Sequence, residues 1–226
     1  MAIALGTNTK GAGTGGGTQG TTGTITTQAT GSAFVVAQMI GNVGGTSCWT
    51  DNFSNTYTQI GIEQNNSGQG IRCNLYACAN GAGGAGHQWT QVFADRFSPM
   101  ACYAFEVTGA ALSGILDVVA QGNTGATFNF PVTTTNANDL VVSIFRGNSA
   151  SGVITANGSF TLLDSAANTM TTGVMTRIVS ATGTYDPAPT ITLNSATCWI
   201  TASFKEASTI AIPAPMIYQR KVLYFI

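Results

Sequence analysis

Charge is what this sequence has least of. Only 8% of its 226 residues are Asp, Glu, Lys or Arg, and the net charge is −1. Ordinary globular domains carry roughly 25% charged residues. So thin a balance offers no electrostatic footprint for nucleic acid and no polybasic patch for a membrane surface. With 44% apolar residues, a chain this close to neutrality tends to associate, because little repulsion keeps copies apart. A protein that lives packed against copies of itself escapes that problem, so the composition points to an assembly component.

Histidine is nearly missing, and His87 is the only one. Imidazole is the usual general acid or base near neutral pH. His87 lies in "GAGGAGHQW", a Gly-rich turn, and no G-x-S-x-G elbow accompanies it. A Ser-His-Asp triad would need an activated hydroxyl and a supporting acid beside it. The residue therefore reads as an exposed or capping loop histidine. One imidazole and scattered thiols also argue against a metal cluster. The five cysteines (Cys48, Cys73, Cys78, Cys102 and Cys198) are an odd number without C-x-x-C spacing. They read as small buried hydrophobes, with a Cys73–Cys78 bridge left open.

Other signatures are lacking too. No apolar run approaches the roughly 18 residues of a membrane helix. "MAIALGTNTK" has no basic segment leading into a long apolar run, so no secretory signal is expected. Glycosidases need two carboxylates about 5–10 Å apart in a cleft. Asp95 and Glu106 are the least implausible pair here. Asp95 is followed at once by Arg96, however, and Glu106 falls on the less apolar face of its segment. "GAGTGGG" (11–17) lacks the G-K-[ST] ending of a phosphate loop. Neither an enzyme nor a cofactor is expected.

What the sequence does have is short β-branched and aromatic runs between Gly, Asn and Ser clusters. Expected strands are 24–29, 33–40, 56–62, 71–79, 89–94, 101–107, 115–121, 140–145, 173–181 and 196–204. In "CWITASF", Cys198, Ile200, Ala202 and Phe204 share one side, opposite Trp199, Thr201 and Ser203. In "CYAFEV", Tyr103, Phe105 and Val107 share a face, opposite Cys102, Ala104 and Glu106. A period of two marks a half-buried strand, and helical periodicity is hard to find. The expected fold is all-β: a single two-sheet β-sandwich, jelly-roll or immunoglobulin-like. It should occupy 22–206, with extended arms over 1–21 (Gly/Thr-rich) and 207–226 (apolar). Trp49, Trp89, Tyr57, Tyr76 and Tyr103 lie in or beside strands, where aromatics build the core. Among them Trp89, beside the Gly-rich loop, is the candidate for exposure, and with His87 it forms the candidate receptor loop.

"TDNFSNTYTQI" (50–60) concentrates Asp51, Asn52, Ser54 and Asn55. Asn and Asp tolerate left-handed backbone and cap their own turns, and a calcium site would want more carboxylates than Asp51 alone. A turn is expected. The order "AFVVAQMIG…WTDNFSNTYTQIG…CNLYACANGAGG…CYAFEVTG…NDLVVSIFRG…CWITASFK" then resembles a β-sandwich module of tailed-phage virion structural proteins, also seen in some bacterial surface proteins. The module's "LLVV" strand, "DxxGNTYT" hairpin and "lYyAkNa.gG" strand correspond to Phe34–Val36, Asp51–Thr58 and Leu75–Gly84. Its "vxEvSG", "ELVV" and closing Phe-Lys strands correspond to Phe105–Gly109, Asp139–Val142 and Trp199–Lys205. The likeness covers about 20–206, and its motifs are turns and core strands. Phe53-Ser54 departs from the pattern where the module has Gly, and the two arms are additional.

The C-terminal arm carries Pro213 and Pro215 and ends on Val222, Leu223, Tyr224, Phe225 and Ile226. Burying each large apolar side chain is worth roughly 1.5–3 kcal/mol. Either the arm folds back on its own sandwich, or it joins a neighbouring subunit by strand addition. Its subunit-contact candidates are those five residues with Ile217 and Tyr218. The resemblance implies a phage virion structural protein, assembled in the host cytoplasm beside other virion proteins and copies of itself, with a trimer favoured. A capsid decoration (cement) protein is the first expectation. A short tail or tail-fibre component contacting a host receptor or glycan is the second, and a bacterial surface adhesion module the third.

Overall fold

The computed structural model describes residues 1–13, 17–41, 47–97, 100–125, 128–149, 153–157, 159–166, 171–192 and 196–208. Two five-stranded antiparallel sheets dominate it. The first runs in the order β1 (Ala4–Gly13), β8 (Met100–Thr108), β3 (Ser32–Gly41), β6 (Ile71–Gly81) and β5 (Thr58–Asn66). The second runs β13 (Thr161–Ala166), β14 (Thr172–Val179), β11 (Asp139–Gly147), β17 (Thr197–Phe204) and β9 (Leu116–Thr124). A three-stranded sheet orders β2 (Gly17–Thr21), β7 (Trp89–Phe97) and β4 (Ser47–Asp51). Two short pairs complete the chain: β10 (Val132–Thr133) with β15 (Thr184–Tyr185), and β12 (Ile154–Thr155) with β16 (Thr190–Ile191). Among the described residues the only helical turn is the 3₁₀ turn Ser67–Gln69.

The alternation read from the sequence sets which side chains meet. Val35, Ala37 and Met39 of β3, Tyr103, Phe105 and Val107 of β8, and Cys198, Ile200, Ala202 and Phe204 of β17 point into one core between the large sheets. The all-β sandwich is therefore present, but each sheet is also covered on its outer face. Phe34 and Val36 of β3, with Tyr76, Cys102 and Ala104, pack under Trp49 and Trp89 of the three-stranded sheet. Val141, Phe145, Met175 and Trp199 pack under Phe130, Val132, Phe160 and Ile191 beyond the second sheet. Double coverage explains why "AFVVAQMI" and "LVVSIF" are apolar almost throughout, since a strand buried on both faces loses its alternation. Trp49, Trp89, Tyr76 and Tyr103 are all core residues, while Tyr57 packs at the edge of the Trp cluster.

The flanks of the sandwich are bridged by side chains. Lys10 on β1 reaches Asp164 on β13 (2.8 Å). On the other flank, the Ile62 amide of β5 donates to Gln121 Oε1 of β9 (3.0 Å), and Asn123 Nδ2 donates to Asn65 O (3.2 Å).

Two expectations need correction, and one pairing left open is closed. The segment expected as an N-terminal arm over 1–21 supplies β1, an edge strand on β8, and β2, paired with β7. Its glycines permit close approach: a Cβ at Gly11 would collide with Thr21 O and lie 2.9 Å from Cys102 Sγ. The segment 24–29 is not a strand. It makes a single bridge, Ile25 with His87, and follows the 84–87 loop instead. Lastly, Cys73 and Cys78 lie on one strand facing opposite cores. Five residues of extended chain hold them about 16 Å apart, well beyond disulfide reach. Beyond Ser208 the C-terminal arm, with Ile217, Tyr218 and Val222 to Ile226, lies outside the described residues.

Candidate functional site: a buried hydroxyl, imidazole and carboxylate

Asp51 closes β4 and organises the turn that follows. Its Oδ1 accepts the amides of Phe53 and Asn55, both at 3.0 Å, and the Ser54 amide donates to Asp51 O (3.2 Å). Ser54 takes a φ of +62°, a left-handed conformation that costs glycine nothing. This is where the resembling module carries Gly. Asn52 and Asn55 then fasten the turn to the 82–88 loop. Asn52 accepts from the Gln88 amide and donates to Gly86 O, while Asn55 accepts from the Ala82 amide and donates to Ala82 O.

The second oxygen, Oδ2, accepts from Tyr57 Oη (2.6 Å), Asn55 Nδ2 (2.7 Å) and His87 Nε2 (3.0 Å). Burial pushes the Asp51 carboxyl up. The bonds from Tyr57, Asn55 and His87 outweigh it and hold the group below the ordinary carboxylate range. For Tyr57, burial and then the Asp51 carboxylate drive the phenol far above its usual value, so it remains a donor. Trp89 Nε1 donates to Tyr57 Oη in turn (2.5 Å).

His87 sits with its ring stacked on Trp89 (centroids 3.8 Å apart) and edged by Phe34 and Phe53. Its Nδ1 faces Thr27 Oγ1 at 3.0 Å. The Asp51 carboxylate only accepts, so Nε2 donates to it, and Nδ1 pairs with the Thr27 hydroxyl. Thr27 Oγ1 in turn accepts the Gly84 amide (3.0 Å). The result is a hydroxyl–imidazole–carboxylate chain connected like a catalytic triad with its ring nitrogens exchanged.

Approach decides what this chain can do. His87 is 0% exposed and Thr27 6%. The Gly83 backbone lies over the hydroxyl, so close that a Cβ there would collide with both Thr27 Oγ1 and Gln28 O. No room is left for a carbonyl to meet Thr27 Oγ1. What the network does is tie the 22–29 segment, the 51–57 turn and the 82–88 loop together, fixing the three-stranded sheet on the first large sheet. "TDNFSNTYTQI" is thus a turn, as its residue types imply. The receptor-loop candidates His87 and Trp89 are not at the surface: both are 0% exposed, because the Gly-rich loop folds inward onto Asp51 and Thr27. Nothing in the local context of Thr27 singles it out, and Tyr57, expected only as a core aromatic, is also a donor to Asp51.

Glu106 is also buried, accepting from Ser32 Oγ (2.7 Å) and the Gln28 amide (2.8 Å). The side chain of its suggested partner, Asp95, lies outside the described residues. Elsewhere two carboxyls meet, Asp117 of β9 and the fully buried Asp139 of β11. Asp117 accepts from the Thr135 amide (2.6 Å), Thr135 Oγ1, Asn136 Nδ2 and Ser203 Oγ. Burial pushes Asp117 up, but the Thr135, Asp139 and Asn136 bonds outweigh it and hold the group low. Burial, then the bond to Asp117 and its charge, raise Asp139 to about 7. The two shifts run in opposite senses, Asp139 up and Asp117 down, the pattern of a carboxyl pair that keeps one proton on its buried member. A cavity of about 400 Å³ opens by other residues, among them Leu5, Leu140, Leu163 and Arg177. Among the described residues no group of three or more His, Cys, Asp or Glu is placed to hold a metal ion. The chain matches no protein-family model, no curated protein and no solved structure closely enough to mark a relative.

Proposed function

We propose that this chain is a bacteriophage virion structural protein, a capsid decoration protein that works by packing against its neighbours and carries out no chemistry. The observation that carries the reading is the closed state of its triad-like constellation, whose carboxylate, imidazole and hydroxyl are all used internally. Charge scarcity supports it as well: a surface with so few charges suits a life against other subunits. The resemblance adds the class. Its motifs lie on structural features of this fold, including the Asp51 turn and the strands holding Phe105 and Trp199.

Particles made with and without the protein test the proposal. Capsids lacking it should lose thermal and mechanical robustness while still adsorbing to the host. Intact robustness with lost adsorption would replace this reading with the tail-component one.

A further inference from the structure

We propose that Cys73 and Cys198 form an oxidisable dithiol whose disulfide fastens the two large sheets to each other through the central core. Cys73 lies on β6 of the first sheet and Cys198 on β17 of the second, both 0% exposed and in the same core cluster. β6 and β17 pack against each other across this core, and the two thiols interact there. A bond between them would join the sandwich face to face, as the inter-sheet bridge of antibody domains does.

A third residue makes the pair more than two buried thiols. Arg146 on β11 stands directly across the strand from Cys198, is itself 5% exposed, and interacts electrostatically with both sulfurs. A neighbouring cation favours the thiolate, which is the attacking form in disulfide exchange. Burial and the neighbouring Cys198 thiol pull the other way and raise the Cys73 thiol, with Arg146 opposing them. The remaining described thiols are placed elsewhere. Cys78 and Cys102 face the outer cluster, where each donates to a backbone carbonyl, Cys102 to Gly11 O at 3.4 Å and Cys78 to Ala79 O at 3.7 Å.

Closing the bond removes two protons and two electrons, so it needs an oxidant, and a small disulfide such as oxidised glutathione supplies it. One cysteine thiolate attacks a glutathione sulfur and expels the first glutathione thiolate. The second cysteine then attacks the protein sulfur of the mixed disulfide and expels the other. Glutathione disulfide is reduced to two thiols while the protein pair is oxidised. The pair would remain open in a reducing cytoplasm and close in an oxidising medium. This inference does not depend on the virion reading.

The test uses the full chain in oxidised glutathione, once as native protein and once refolded from urea in the same buffer, which removes the access barrier. Free thiols are then alkylated under denaturing conditions and the peptides mapped. The expected product is a Cys73–Cys198 cross-linked peptide lacking two hydrogens, with Cys48, Cys78 and Cys102 alkylated. The oxidised protein should melt on the order of 10 °C above the reduced one. Cys198→Ala should abolish that difference and Cys78→Ala should preserve it. Alkylation of every cysteine in both preparations, a cross-link between any other pair, or a Cys73–Cys198 bond without higher melting overturns the proposal. Should Cys198→Ala fail to fold, the wild-type peptide map and melting curves decide alone.

Discussion

The substitution Asp139→Asn isolates one proton. In the folded chain the Asp139 carboxyl is raised to about 7 by burial, by its bond to Asp117 and by the Asp117 charge, from an ordinary value of 3.8. The folded state therefore holds a proton that the unfolded chain releases. That preference contributes in full below about pH 4 and is lost as pH climbs through 7. The whole shift corresponds to at most about 4 kcal/mol, and solvent screening around Asp117 and Lys205 brings the measurable part to roughly 2 kcal/mol. The introduced amide cannot ionise. Urea unfolding across pH 4.5 to 8.5, with the m-value held constant, should show the parent weakening as pH rises. The variant should match it at the acid end and exceed it by about 2 kcal/mol at the alkaline end. A parent whose stability is flat across that range, or a variant weakened equally at every pH, refutes the retained proton.

Asp51→Ala should cost about 3–5 kcal/mol, because it leaves the Tyr57, His87 and Asn55 donors buried without their acceptor; denaturant unfolding reads it directly. Gly83→Ala drives a methyl group into Thr27 Oγ1 and the Gln28 carbonyl, so a loss of about 1–3 kcal/mol is expected, with the His87 ring resonances displaced by NMR. Lys10→Ala breaks an ion pair whose lysine side chain is 59% exposed, and calorimetry should find a change below about 1 kcal/mol.

Period two was legible where one face is wholly apolar and the other carries polar residues, as Tyr103, Phe105 and Val107 against Glu106 in "CYAFEV" and Ile200 and Phe204 against Thr201 and Ser203 in "CWITASF". The Asp51 turn was legible because Asp and Asn write their own backbone hydrogen bonds locally. β1 was not, since "ALGTNTKGAG" has no apolar alternation and is held as a strand by pairing with β8. The same limit hid the site. His87 finds Asp51 across 36 residues and Thr27 across 60, so a Gly-rich context that reads as exposed loop is folded inward by partners that no local window contains.

β3 is flanked by β8 and β6 and covered on both faces, so its amides are shut away in every direction. Such a strand cannot fray. Hydrogen exchange at Val35 or Val36 should happen only when the whole molecule comes apart, whereas β1 at the margin can open alone. The centre of the first sheet is thus a clock for the complete chain, and its rim reports only on itself.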